Sequence, residues 1–484
     1  MSAAISIRKQ PTGLYNLFFV ELWERYGFYT IQALIVLFLT KAWQLPDSQA
    51  YDIYSAFSAL IYATPVIGGY LADRLLGFRH AIILGGILYA IGYFTLSTAN
   101  HNLFYPALAL LICGNGFFKG CVSSLVGTLY EENDPRRDSG FTIFYMGINI
   151  GSFLAPIIST WVANTYGWGF GFGTAGIGIL IGLILAFVGF KRLGNRGLPP
   201  DPAFLKTPVF LGLSRQLLAY AGIVAAFAII TVLLHHANIV NKFLLVFSIL
   251  ITLTVLLVTF RNKGQQRNKL LVLVILIIFS ILYWALYFQM FSSVTLFNDR
   301  VLDRVILGHE IPASMFTSVE AFFILVMSPI FAVTWLKLWS KQPSGPTKFA
   351  LGIIFTSLFF LTLAVGTHFL NAKGLMPVGW SILSYFFQTC GELCLSPIGL
   401  SLITTLAPAN LTGMMMGVWF LSFTIAFAIG DYIAKLTSIP TSITNTGMIA
   451  HIYSHVFYQL TCIGIIISLV LLMCTPRLKR LLNS

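Results

Sequence analysis

The chain is 484 residues long, 57% hydrophobic and only 9% charged, with a mean hydropathy of +0.85 and a formal net charge of +13. Soluble domains carry about 25% charged residues. This composition, with 42 Phe and many long apolar runs, excludes a soluble enzyme or nucleic-acid binder and leaves an all-α polytopic membrane protein in the lipid bilayer.

Apolar runs bounded by charge, Pro or Gly predict fourteen helices. They fall at 14–41, 49–75, 79–99, 102–129, 140–163, 168–190, 215–235, 241–260, 269–297, 313–336, 347–369, 376–406, 411–436 and 449–474. About 20 residues cross a bilayer, so several of these are long enough to tilt.

Within the first helix, the run from Tyr15 to Thr40 is almost wholly apolar outside Glu21, Glu24 and Arg25. A charge at membrane depth costs about 2.5–3.5 kcal/mol or more. Three such residues within five positions fit a water-filled cavity inside a helical bundle rather than a lipid-facing anchor. Glu21, Arg25 and Tyr29 repeat at i, i+4, i+8 and share a face. Asn115, Lys119 and Ser123 do the same in the fourth helix, and Tyr145, Asn149 and Ser152 form a stripe in the fifth.

After the sixth helix, Lys191 to Arg215 is basic and rich in Pro and Gly, the texture of a linker. The next two helices, 215–235 and 241–260, hold no ionisable residue at mid-span and read as structural, lipid-facing elements. Further along, Glu320 lies in the helix beginning near 313, and Gln388, Glu392 and Ser396 stripe the helix at 376–406. Tyr62, Tyr287 and Trp419 are weaker aromatic candidates. The plan is six helices, a linker with two plain helices, and six more. Its boundaries are 1–192, 193–265 and 266–484, and it suits a transporter built from two six-helix bundles.

Alternating the loops between sides puts twenty-one of the 29 Lys and Arg on the side of both termini. The other side receives Lys41, Lys242, Arg300, Arg304, Lys373 and Lys435, while Arg25 and Lys119 lie inside spans. This bias places both termini in the cytoplasm and explains the net charge without nucleic acid. The six Cys form no CxxC pair, so neither a disulfide framework nor a metal site is indicated. The amino-terminal run, interrupted by charge, does not read as a cleavable signal. No HExxH, GxSxG or paired-Asp motif lies in a span, so the chain is not read as an enzyme.

Glu21, Glu24, Glu320 and Glu392 oppose Arg25 and Lys119, a formal −2 inside the spans. A poorly hydrated cavity does not keep two uncompensated carboxylates ionised, so at least one glutamate is expected to hold or exchange a proton near neutral pH. That is a physical basis for proton coupling.

ELWERYGFY at 21–29 resembles the ExxER[FY]xYY signature of the proton-coupled oligopeptide transporters, within the major facilitator superfamily. GGYLADRLLGFR at 68–79 resembles the facilitator loop motif, and GNGFFKG at 114–120 carries the family's lysine. FTIFYMGINIGSF at 141–153 resembles the FYxxINxGS signature, and CGELCLS at 390–396 the family's glutamate motif. The inserted helix pair and the short loop near 369–377 resemble bacterial members. Two positions depart from the pattern. Phe288 stands where an acid is usual before Gln289, and Glu320-Ala321 stands where Asn-Pro is usual.

The resemblance implies proton-driven symport of di- and tripeptides by alternating access, in a functional monomer of the bacterial inner membrane, with protons co-transported and no bound cofactor. It implies proton coupling through Glu21, Glu24, Arg25 and Lys119. A zwitterionic peptide would be held at its carboxylate by Arg25 and Lys119 and at its amino group by Glu392, reinforced by Glu320, with Asn149 on the amide and Tyr29, Tyr62 and Trp419 lining side-chain pockets. Two alternatives stay open. The same fold could carry an amino acid, nitrate or an organic anion. Glu320 could instead sit at the external mouth, paired with Arg300 or Arg304. If position 288 faces the cavity with Glu320, Phe288→Glu is expected to restore an acid lost by Glu320→Asn.

Overall fold

A computed structural model of the protein describes residues 9–131, 134–210, 212–338, 341–407 and 411–483. Arg8, one of the basic residues used to orient the chain, lies outside them. Fourteen long helices account for most of the described residues. They are α1 Thr12–Leu37, α2 Asp47–Leu71, α3 Phe78–Ser97, α4 His101–Gly127, α5 Arg137–Tyr166, α6 Trp168–Phe190 and α7 Arg215–His235. After these come α8 Ala237–Arg261, α9 Gly264–Tyr287, α10 Thr317–Leu338, α11 Gly345–Gly366, α12 Val378–Leu406, α13 Thr412–Lys435 and α14 Thr446–Asn483. Among the described residues, thirteen helices are long and apolar enough to cross a membrane. The remaining one is α1, which carries Glu21, Glu24 and Arg25 together. Short two-stranded pairs and single turns fill the connections, including a parallel pair between Leu302–Asp303 and Met376–Pro377.

Local chemistry sets several boundaries. The Asn100 side chain caps α4 by accepting from the Asn102 N–H at 2.9 Å. Gly77 and Gly167, with φ of 77° and 106°, make the tight turns from α2 to α3 and from α5 to α6. The expected single helix at 269–297 is broken. α9 ends at Tyr287, a 3₁₀ turn covers Phe288–Phe291, and a new helix runs Ser293–Arg300. No Gly or Pro marks this break. Side chains support it instead. Ser293 Oγ donates to Gln289 Oε1 at 2.8 Å, and Thr295 Oγ1 donates to the Met290 carbonyl at 2.8 Å.

The chain forms two compact units, one of residues 1–31 and 63–235 and the other of residues 32–62 and 236–484. In the first, α3 packs on α4 and α6, and α4 on α7. In the second, α11 packs on α12 and α14, and α9 on α13. Each unit brings helix backbones together at reciprocal glycines, and the first does so at further places such as Gly68 against Gly116. A Cβ on Gly114 would lie 2.8 Å from the Gly85 carbonyl oxygen, and one on Gly85 would lie 2.7 Å from the Gly114 oxygen. A Cβ on Gly391 would lie 2.9 Å from the Gly352 oxygen, and one on Gly352 would lie 3.1 Å from the Gly391 oxygen. Glycine lets α3 meet α4, and α11 meet α12, at backbone contact. The two inserted helices and α10 bury least. Only 11% of the most apolar stretch of α7 and 22% of that of α8 is covered, against 72% for α4. Their remaining surface is apolar and suits lipid.

Candidate functional site

The first unit gathers its charges around Phe28. Arg25 grips Glu24 with two parallel bonds, Nε to Oε2 and a terminal nitrogen to Oε1, each 2.5 Å. Its Nε also stands 3.5 Å from Glu21 Oε1. The helical spacing explains the geometry, since Glu21 sits one turn before Arg25 and Glu24 directly beside it. All three side chains are buried. The face of Phe28 receives Arg25 Cζ at 4.7 Å and Lys119 Nζ, from α4, at 5.7 Å. Tyr89 of α3 lies with its hydroxyl 3.1 Å from Glu24 Oε1 and 2.7 Å from Asn115 Oδ1. Glu21, Glu24 and Arg25 of α1 and Lys119 of α4 thus gather around one aromatic ring.

Two expected ligands of this unit are placed differently. Asn149 spends one amide N–H on the Tyr145 carbonyl, one turn back along α5, at 3.0 Å. Its remaining polar capacity is the other N–H and Oδ1. Tyr29 is half-buried with its ring edge-on to Phe28 at 5.3 Å. Phe28 and Tyr89, which organise the cluster, are absent from the set of candidates read from the sequence. In a chain with 42 Phe and 20 Tyr, a single aromatic residue carries little signal.

The second unit builds an acidic centre around Tyr287. The Tyr287 hydroxyl lies 2.5 Å from Glu320 Oε1 and 3.0 Å from Glu392 Oε2. Gln388, one turn before Glu392, donates Nε2 to the Tyr287 carbonyl at 3.2 Å. Glu320 is 5% exposed. The mouth alternative has no geometry behind it. Arg300 chelates Asp47 at 2.6 and 2.7 Å, and Arg304 pairs with Glu310 at 2.8 Å and Asp299 at 3.6 Å. Lys41 also pairs with Asp299 at 2.6 Å, and Lys435 bridges Asp52 and Asp431 at 2.6 and 2.8 Å. Four of the six basic residues assigned to the external side are therefore held by carboxylates.

Phe288 does not share this acidic centre. It is 5% exposed and stacks on Phe427 at 4.0 Å, with Trp284 at 5.6 Å and Tyr62 at 6.1 Å. Tyr62 itself stacks on Phe423 at 5.2 Å, and the buried Trp419 meets Phe423 edge-on at 6.3 Å. Position 288 is thus part of an aromatic cluster, and the rescue expected of Phe288→Glu loses its premise. The expected outcome is the reverse. Phe288→Glu buries a carboxylate among rings and lowers the thermal unfolding midpoint of the purified protein, by an amount corresponding to about 3 kcal/mol or more. An unchanged midpoint would show that the position is hydrated.

Comparison with known proteins agrees with this architecture. The POT family profile matches residues 79–450. The chain is 35% identical over 482 residues to the dipeptide and tripeptide permease A of Serratia proteamaculans, covering 99% of this chain and 94% of that protein. It is 36% identical over 487 residues to the dipeptide and tripeptide permease B of Salmonella typhimurium, covering 100% and 98%. Among solved structures, a mutant of the peptide transporter POT in complex with alafosfalin superposes with a TM-score of 0.85 at 32% identity, over 98% of this chain and 96% of the other. A POT family transporter in complex with 5-aminolevulinic acid does so at 0.84 and 29%, over 97% of each. The fold is accordingly of the major facilitator type, in a multi-pass membrane protein. With identity above 30% carried through nearly its whole length, the chain belongs to the POT family.

Proposed function

We propose that this protein imports di- and tripeptides across the bacterial inner membrane by alternating access, driven by protons. The observation that carries the reading is the buried cluster of Arg25, Glu21, Glu24 and Lys119. It is a cation already gripped by carboxylates, and it can change hands. A protonated Glu24 or Glu21 loosens its hold on Arg25 and frees a fork suited to a peptide carboxylate. Lys119 adds a second positive charge. Proton entry and carboxylate binding are then one event, which is what symport requires.

The second unit offers the opposite polarity. Glu392 and Glu320 suit the peptide's ammonium group, and the rings of Tyr29, Tyr62 and Trp419, with Asn149, suit side chains and the amide. Both termini face the cytoplasm, and one chain suffices for transport rather than for any catalysed reaction. The test is uptake of labelled dialanine into proteoliposomes with and without an imposed proton gradient. Accumulation only with the gradient is expected, displaced by unlabelled dipeptide but not by glutamate or nitrate. Displacement by the latter two alone would assign the fold another small solute.

Lys119→Ala is expected to lose concentrative uptake while keeping some exchange of peptide for peptide. Lys119 shares Phe28 with Arg25, the cation that holds both carboxylates of the proposed proton exchange. Full proton-driven accumulation by this variant, measured in the same vesicles, would remove Lys119 from coupling.

A further inference from the structure

Tyr287 has one hydroxyl hydrogen and two carboxyl neighbours. Its oxygen lies 2.5 Å from Glu320 Oε1 and 3.0 Å from Glu392 Oε2, so one hydroxyl stands between two acids. A carboxylate only accepts hydrogen bonds, whereas a protonated carboxyl also donates. The phenol hydrogen serves one contact. The other contact needs a hydrogen supplied by a carboxyl group. We propose that Glu320 and Glu392 are a proton-sharing pair, clamped by Tyr287, that holds one proton and one negative charge between them.

The surroundings supply no other way to balance the site. The titratable groups facing it are Tyr283 and Tyr287 of α9 and Tyr385 of α12. Among the described residues, no Lys, Arg or His forms a salt bridge with either carboxyl group. Two like charges in one desolvated site do not both persist, and the proton then belongs to the pair rather than to either residue. A second observation stands beside the pair. Gln388 is fully buried and uses Nε2 on the Tyr287 carbonyl, yet its Oε1 meets no donor among the described residues. An acceptor is left open one helical turn from an acid that carries a hydrogen.

The second unit therefore holds a proton store distinct from Glu21 and Glu24 of the first. Its use in coupling rests on the peptide-import reading, but its existence does not. The experiment is an infrared pH titration of the full-length protein in lipid nanodiscs without substrate, following the carboxylic-acid carbonyl band. Wild type is compared with Glu320→Gln, Glu392→Gln and Tyr287→Phe. For a shared proton, each glutamine variant lowers the titration midpoint of the acid that remains by a pH unit or more, at least a tenfold loss of proton affinity. Tyr287→Phe keeps both acids and should shift the frequency of the band while retaining it. Independent acids would behave otherwise, each variant deleting one band and leaving the other's midpoint in place, and that result would overturn the pair. Loss of the band in Tyr287→Phe would overturn it as well. Failure of the wild-type protein to take up any peptide would refute the import reading and leave the titration untouched.

Discussion

Arg25→Ala is expected to abolish proton-driven peptide accumulation. Arg25 is buried, holds Glu24 by two bonds of 2.5 Å, and reaches Glu21 at 3.5 Å. Removing it strands two buried carboxylates with Lys119 as the remaining cation of the cluster. Breaking one side of a buried ion pair costs about 3–5 kcal/mol, which on binding corresponds to a hundredfold or more, at about 1.4 kcal/mol per tenfold. Arg25→Lys keeps the charge but loses the planar fork and two-point grip. It is therefore expected to restore folding without restoring accumulation. Uptake rate and final accumulation of labelled dialanine in proteoliposomes decide the matter. Parental accumulation by the lysine variant would show that the fork geometry is irrelevant and that charge alone suffices.

The second large effect concerns the amino end of the substrate. Glu392→Gln alone is expected to weaken peptides with a free amino group by about tenfold, because Glu320 stays on Tyr287 and still supplies a negative charge. The double variant Glu320→Gln with Glu392→Gln removes that reserve. Its affinity for free-amino peptides should fall at least about a hundredfold, or about 2.7 kcal/mol, while amino-blocked peptides lose little. Competition binding with dialanine and its acetylated form measures both losses in one experiment. Equal losses for the two ligands would show that neither glutamate receives the ammonium group.

Much of this was legible in the chain, for a physical reason. Helices bounded by Gly or Pro, such as 168–190, emerged where expected, because backbone chemistry punctuates them. Charges in apolar runs stand out because burying them is costly, so Glu21, Glu24, Arg25 and Lys119 were each visible in the sequence, while their grouping came from the family resemblance. Partners from distant helices could not. Tyr287 and Glu392 are 105 positions apart, and nothing local in YWALYFQ announces that the helix breaks after Tyr287. The end of α14 was also hidden. Its helix continues past Pro476 to Asn483, through basic residues that an apolar criterion cuts off. The compact units interrupt the chain within α1 and α2, a division no linear scan of composition contains.

The paired glycines carry a consequence for anyone who would stabilise this protein. Exchanging helical glycine for alanine ordinarily adds stability by restricting the unfolded chain. Here Gly114 immediately precedes Asn115, the partner of Tyr89, and Gly391 immediately precedes Glu392, the partner of Tyr287. A methyl group at either glycine meets a carbonyl oxygen at under 3 Å and lifts one helix off the other. Displacement begins one residue from the polar contact, so hydrogen bonds of 2.7 and 3.0 Å are the first to lengthen. At these two positions the absence of a side chain acts as a positioning element, and thermostabilising libraries that treat glycine as an empty slot would lose transport before they lost the fold.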